Sequence, residues 1–321
     1  MDKNPSNKNM FTCAIAFYNL ENLFDTKNNP RVLDDDFTAK SEKNWTEKKY
    51  QKKLKKLGSV ISQIGYEETL HPPVLLGVAE VENKGVLEDL IHSKYLKEKG
   101  YDIVHYDSPD ERGIDTALLY RPDYFEVLES RTYTVMIDNL DQQRDYTRDV
   151  LYVKGILQDK IVHVLVNHWP SRRSGAELSS YKRVAAAKRN QEIIQEIRGE
   201  DKEARIIIMG DFNDNPKSES VKLHLVDSSL YNPMEKLLTY NEGTLNYRGE
   251  WFLFDQIIFS NKFLQQYGNN FRFVEAAIFD KPFLKEYKGR YKGNPFRTYV
   301  GKKHLGGFSD HFPVYCIFSI K

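Results

Sequence analysis

Short runs of β-branched and aromatic residues recur along this chain, bounded by turns containing Gly, Pro, Asn and Asp. Such runs fit a pleated, partly buried backbone and read as strands. They predict strands over residues 11–18, 74–79, 101–106, 115–120, 125–136, 150–158, 161–167, 205–210, 252–260, 272–279 and 314–320. Three segments between them carry helical periodicity. The clearest starts at Thr46 as N-cap, with Trp45 and Tyr50 placed for a hydrophobic staple. Its apolar stripe runs Tyr50, Leu54, Leu57, Ile61 and Ile64, and Gly65 offers a left-handed stop. Further helices are expected over residues 84–97 and 177–197. Many strands with a few interspersed helices suggest two packed sheets with helices outside, although the pattern alone is also compatible with another α/β arrangement.

No internal repeat, low-complexity tract or Pro/Gly/Ser linker interrupts the 321 residues, so residues 11–321 are expected to form one domain after a flexible segment, residues 1–10. At 40% hydrophobic and 13% aromatic, the chain has material for a large core. The longest apolar runs are strand-sized, so no membrane span is expected. The polar start lacks an apolar signal region, which points to the cytoplasm; an exported protein whose signal has been removed would read the same. The expected state is a monomer.

Formal charge is +1, from 47 basic and 46 acidic residues, which excludes a global nucleic-acid signature and leaves only local patches. Lys48, Lys49, Lys52, Lys53, Lys55 and Lys56 surround the apolar stripe of the first helix. A solvated helix face is the plainer reading, a nucleic-acid patch the sharper one. Cys13 and Cys316 sit in apolar runs near opposite ends, and two such cysteines make neither a disulfide framework nor a zinc site. His71, His92, His105, His163, His224 and His304 have no context suggesting chemistry.

Polar residues at strand ends carry the chemical signal. Asn19 closes the first strand, Glu80 ends the apolar run 74–79, Asn167-His168 ends another, and Asp211 and Asn213 follow Ile206–Gly210. Side chains leaving a sheet at its rim can converge on one cleft. In extended backbone Asp211 and Asn213 share a side while Phe212 faces a core. Gly210 would let a ligand approach the backbone, and an Asx turn is the bland alternative for this Asp-Phe-Asn. Asp255 lies inside Trp251–Phe259, where an unpaired carboxylate costs several kcal/mol, so it wants a partner such as a histidine. Asp310-His311 precedes the last strand.

Tyr18-Asn19-Leu20-Glu21-Asn22, Ala79-Glu80-Val81-Glu82-Asn83, Asn167-His168, Gly210-Asp211-Phe212-Asn213, Phe254-Asp255-Gln256 and Ser309-Asp310-His311 occur in the order seen in the endonuclease/exonuclease/phosphatase superfamily. The chain resembles that superfamily from Phe11 to Ile320, and the stretches 18–25 and 168–172 look like a bacterial branch. The resemblance implies a four-layered α/β sandwich: two mixed, mainly antiparallel β-sheets packed face to face, with helices on the outer faces. It implies a metal-dependent phosphoesterase, foremost a nuclease acting on DNA or RNA. Phosphatase or phospholipase action on a small phosphorylated molecule or lipid is the alternative, and a non-catalytic phosphate-binding module the reading from another class. Many members have Gln where Ala79 stands here, which leaves Glu82 as a competitor to Glu80; Glu80 is preferred because it ends the apolar strand.

The roles implied are as follows. Glu80 holds the metal, with Asn19 and Asp310 nearby; oxygen donors suit Mg²⁺, or Mn²⁺. Asp211 orients or deprotonates the water, and Asn213 donates to a phosphoryl oxygen. His311, held by Asp255, presents a fixed tautomer or an imidazolium. His168 stabilises the transition state or protonates the leaving group, oriented by Asp115. Arg112 and Arg172 are candidate phosphate binders. A nucleic-acid rim would draw on Arg172, Arg173, Lys182 and Arg183, and on Tyr287 and Tyr291 among Lys285, Lys288 and Lys292.

Overall fold

The computed structural model describes residues 10–139, 141–173, 175–264 and 271–321, so all of the expected flexible segment except Met10 lies outside the described residues. In chain order the strands are β1 (Phe11–Leu23), β2 (Leu75–Val81), β3 (Asp102–His105), β4 (Asp115–Tyr120), β5 (Phe125–Tyr133), β6 (Val150–Leu157), β7 (Lys160–His168) and β8 (Ile206–Asp211). They continue with β9 (Leu230–Tyr231), β10 (Leu245–Tyr247), β11 (Glu250–Phe252), β12 (Asp255–Ser260), β13 (Phe271–Ile278), β14 (Tyr299–Val300), β15 (Lys303–His304) and β16 (Val314–Ile320). The helices are α1 (Glu47–Ile61), α2 (Tyr66–Thr69), α3 (Lys84–Ile91), α4 (Ser180–Glu200) and α5 (Glu219–Lys222).

Two six-stranded mixed sheets result, ordered β13-β16-β1-β2-β4-β3 and β5-β6-β7-β8-β12-β9. Alternation along β1 shows how they stack. Cys13, Ile15 and Phe17 face the second sheet, packing with Val164, Ile207 and Ile257, while Ala14, Ala16 and Tyr18 face Leu54, Leu57 and Leu87 of α1 and α3. The outer face of the second sheet packs Leu165, Ile206 and Ile208 on Ala186, Ile193 and Ile194 of α4. This is the four-layered sandwich, and strands buried on both faces explain why their sequences read as near-continuous apolar runs.

The stripe on α1 is buried as expected, with Trp45 and Tyr50 in the same core, but Thr46 makes no side-chain cap bond. The second and third helical segments shorten or shift to Lys84–Ile91 and Ser180–Glu200. The expected strand 252–260 splits into β11 and β12, because β11 pairs only with β10 as a separate hairpin. Cys13 and Cys316 are buried free thiols.

Candidate active site

Register builds half of the site. Asp211 on β8 stands opposite His168 on the parallel β7 and opposite Asp255 on the antiparallel β12, so all three lie in one row at the sheet's end. Gly210 is required there because a Cβ would come within 2.4 Å of the Asn167 carbonyl oxygen. Its role is close approach of two strands, not approach of a ligand. The other half comes from the first sheet, where Asn19 pairs with Ala79 and the ladder slips just beyond. Glu21 (φ 51°), Asn22 (φ 52°) and Glu80 (φ 60°) occupy left-handed backbone at this slip, as does Asn213 (φ 50°) across the cleft. Such conformations cost non-glycine residues on the order of 1 kcal/mol or more each, and sheet packing on both sides enforces them.

A continuous chain of contacts joins the two halves. Glu80 Oε1 lies 4.0 Å from His168 Nε2, which lies 3.8 Å from Asp211 Oδ2. Asp211 Oδ2 lies 4.0 Å from His311 Nε2, and His311 Nδ1 meets Asp255 Oδ2 at 2.7 Å. Asn19 Nδ2 donates to Asp211 Oδ2 at 3.0 Å, and Ser309 Oγ, which donates to the Asn19 carbonyl at 2.7 Å, accepts from His311 N.

These contacts set opposite charge states for the two histidines. Burial alone would lower the His311 pKa, but the carboxylates of Asp255, Asp211 and Asp310 outweigh it and hold it well above the usual value. Both ring nitrogens face carboxylates, so His311 is an imidazolium. Burial, reinforced by the charges of Arg148, Arg112 and His311, holds His168 well below its usual value. Its Nδ1 is buried without a partner among the described residues, so the neutral ring carries its proton on Nε2, toward Glu80 and Asp211. Burial pushes Asp211 up to about 7, with Asp255 adding to the rise and His311 opposing it. Burial tends to raise Asp310 as well, but His311, Arg297 and Lys53 together leave it below the usual range.

The oxygen-rich donor set fits a hard divalent cation. Glu80 Oε2 accepts only from Asn22 N (2.9 Å), and among the described residues no lysine or arginine lies within 4.0 Å of its half-buried carboxylate. With His168 neutral, that charge has no direct counterion. No thiol is near enough to favour a soft metal, since both cysteines lie within strands of the core. Glu82 turns instead to Asp25 N at 2.6 Å, so it is Glu80 whose carboxylate lies beside His168 and Asp211.

Several expectations change. Asp115 does not reach His168; its carboxylate bonds His105 Nε2 (2.9 Å) and Ser108 Oγ (2.6 Å), so His105 is a buried partner and not a bystander. Asp310 is tied to Arg297 Nη2 at 2.6 Å. Asn213 forms the Asx turn to Asp211 Oδ1 (2.9 Å) and spends one amide hydrogen on the Trp169 carbonyl (2.9 Å), leaving the other without an acceptor among the described residues. Arg172 bonds the Asn213 carbonyl and Asp214 and so braces the loop, while Arg112 bonds Asn22 Oδ1 at 2.6 Å. Arg183 is buried and paired with Asp214, so it leaves the expected rim, and Lys182 is engaged by Asp145 and Asn139. Lys53 is buried, not solvated, and donates to the Glu21 carbonyl and Thr298 Oγ1 behind the site.

Sequence reasoning missed Arg148 and Asp110. The guanidinium of Arg148 donates to Asp110 Oδ2 (2.9 Å), His168 O (3.2 Å) and Trp169 O (2.7 Å), fixing the backbone of the His168 loop. Nothing in Thr147-Arg148-Asp149 separates a buried arginine from an exposed one; the only signal is its place at the mouth of an apolar strand. Arg148→Met strands a buried carboxylate, so it is expected to cost about 3–5 kcal/mol of unfolding free energy. Urea denaturation checks this, and a loss below about 1 kcal/mol contradicts the assignment.

A model of the Endonuclease/Exonuclease/phosphatase family matches residues 14–320. Among solved structures, a humanized D. rerio TDP2 superposes with a TM-score of 0.59 at 15% identity, covering 96% of this chain and 98% of that one. An endonuclease/exonuclease/phosphatase family protein from Bacteroides thetaiotaomicron gives 0.58 at 17% identity, with 97% and 99% covered. D. rerio TDP2 complexed with single strand DNA product gives 0.57 at 15%, with 96% and 98% covered. At these identities the likeness speaks for the fold. No curated protein matches the sequence.

Proposed function

The chain belongs to the endonuclease/exonuclease/phosphatase family and is a hydrolase of phosphoester bonds; from this we propose that it is a metal-dependent phosphodiesterase cleaving nucleic acid by attack of an activated water. The observation that carries the reading is the unbroken run of contacts from Glu80 through His168, Asp211 and His311 to Asp255. On this reading acid, neutral donor, base and cation would face one phosphate.

Glu80, with Asn19 and Asp310 beside it, would hold the cation, Mg²⁺ or Mn²⁺. When bound, such an ion supplies charge neutralisation at a non-bridging oxygen and at the leaving oxygen. Asp211, with its pKa near neutrality and Asn19 fixing one oxygen, takes the proton of the attacking water. Neutral His168 donates its Nε2 hydrogen to a phosphoryl oxygen, acting as a hydrogen-bond donor instead of a general acid. His311, charged and fastened by Asp255, meets the negative charge that grows on the pentacoordinate phosphorus. The free amide hydrogen of Asn213 adds a further donor. Support for a nucleic-acid substrate comes from the family and from a structural neighbour that holds a single strand DNA product.

With Mg²⁺ or Mn²⁺ the protein is expected to hydrolyse bis(p-nitrophenyl) phosphate and a DNA oligonucleotide, and EDTA is expected to abolish both activities. Turnover of inositol phosphates with neither diester touched would overturn the proposal, as would EDTA-resistant turnover.

A further inference from the structure

A cleft of about 510 Å³ opens beside the site, and its inner wall is Arg297 and Asp310, the latter adjoining His311. Its outer walls come from two elements outside the main sheets. One is the β10–β11 hairpin, whose two turn residues, Arg248 (φ 57°) and Gly249 (φ 92°), both adopt left-handed backbone. That is the geometry of a tight turn that follows the twist of its strands, so Tyr247 and Arg248 are presented on a stiff support. The other is the segment between β13 and β14, which brings Glu286, Arg290 and Tyr291. Asn294 Nδ2 donates to Asn246 Oδ1 at 3.3 Å and ties the two walls together. Trp251 forms part of the lining and stacks on Phe312, its ring 6.1 Å away and tilted by 21°.

The chemistry of this cleft is specific. Tyr247 and Tyr291 are 60% and 55% exposed, so their rings are open to a ligand in the cleft. The Arg248 guanidinium lies 5.2 Å from the Tyr247 ring and that of Arg290 lies 5.8 Å from the Tyr291 ring. Neither arginine has a carboxylate partner among the described residues, and Glu286 is the one acid of the outer lining. Each guanidinium lies over one face of its half-exposed tyrosine, and such aromatic–arginine pairs match a planar base on a polyanionic backbone. The volume is enough for a nucleoside, and a duplex keeps its base faces covered.

We propose that this cleft binds one unpaired nucleotide next to the scissile phosphate, its base stacked on Tyr247 and Tyr291 and its phosphate held by Arg248 and Arg290, so that the enzyme acts on single-stranded nucleic acid. The inference rests on the phosphodiesterase reading for the position of the scissile bond, but binding tests it independently of turnover. Two surface variants, Tyr247→Ala/Tyr291→Ala and Arg248→Glu/Arg290→Glu, leave the catalytic residues untouched. In EDTA, a fluorescein-labelled oligo-dT strand is expected to bind each variant about tenfold or more weaker than wild type by anisotropy. With Mg²⁺, kcat/KM on the same strand falls by a similar factor while hydrolysis of bis(p-nitrophenyl) phosphate is unchanged. Equal affinity of wild type and both variants for the strand overturns the proposal, as does wild-type preference for the blunt duplex. A wild type that hydrolyses neither diester while still showing the anisotropy difference would sink the activity reading and leave the cleft assignment standing.

Discussion

Glu80→Gln is expected to lower kcat on a phosphodiester by ~10³-fold at saturating Mg²⁺, with little change in folding. The carboxylate sits half-buried at the sheet rim, accepts one backbone hydrogen bond, and has no lysine or arginine within 4.0 Å among the described residues. A glutamine keeps that bond through its carbonyl oxygen but removes the charge that draws a cation. Loss of the charge compensation a divalent ion gives a phosphoryl group is worth several kcal/mol, and each 1.4 kcal/mol is tenfold in rate. Isothermal titration with Mn²⁺ should show the affinity loss directly, and thermal melts in EDTA should agree to within a few degrees. A variant retaining a tenth of wild-type kcat with undiminished Mn²⁺ affinity would remove Glu80 from the metal site. A large drop in melting temperature without metal would mean that Glu80 serves the fold instead.

The second large effect separates activity from stability. Asp211→Asn is expected to reduce kcat by ~10²–10⁴-fold, the range for loss of a general base, yet to make the protein more stable at pH 8. Burial pushes the Asp211 carboxyl from 3.8 up to about 7, so the folded protein holds this proton more tightly than the unfolded chain does. Stability from the protonated acid is therefore fully present below pH 4 and is lost as pH rises through about 7. That rise amounts to roughly 4 kcal/mol. An asparagine removes the buried charge but gives up part of the hydrogen bonding with Asn19 and the Asn213 backbone, which leaves a net gain of about 1–2 kcal/mol. Melting curves should show the variant a few degrees higher at pH 8, with the advantage gone by pH 4. A variant less stable than wild type at pH 8 contradicts the charge argument. In the wild type, the rate should rise with pH toward neutrality as Asp211 ionises and fall at alkaline pH as His311 loses its proton.

The two histidines illustrate how environment assigns roles that residue type leaves open. His311 and His168 lie on either side of Asp211 at comparable distances, 4.0 and 3.8 Å. His311 has Asp255 behind it at 2.7 Å, whereas His168 has Arg148 and Arg112 for neighbours and a ring nitrogen with no hydrogen-bond partner among the described residues. One is thereby charged and the other neutral. The site can offer a cation and an uncharged donor to the same phosphate.

Much of the fold was legible in the chain because a two-sided buried strand and an amphipathic helix are local patterns. The stripe from Tyr50 to Ile64, the runs 115–120 and 314–320 and the inward-facing Phe212 needed only the periods of 3.6 and 2. The need of Asp255 for a histidine was likewise readable, since a charge inside an apolar run must be compensated wherever its partner lies in sequence. Which histidine answered it, and which acid each other histidine met, was not readable. Asn19 and Asp211 are 192 positions apart and touch because one strand of each sheet ends at the same edge of the sandwich. Asp115 went to His105 and not to His168 because β3 and β4 are neighbours in the first sheet while His168 rises from the second. The buried arginines at 148 and 183, the slip that forces Glu80 into left-handed backbone, and the charge states of the site are products of packing. Local sequence sets which side of a strand a residue faces; only the closing of the two sheets sets what it meets there, how much water is excluded, and therefore which protons stay.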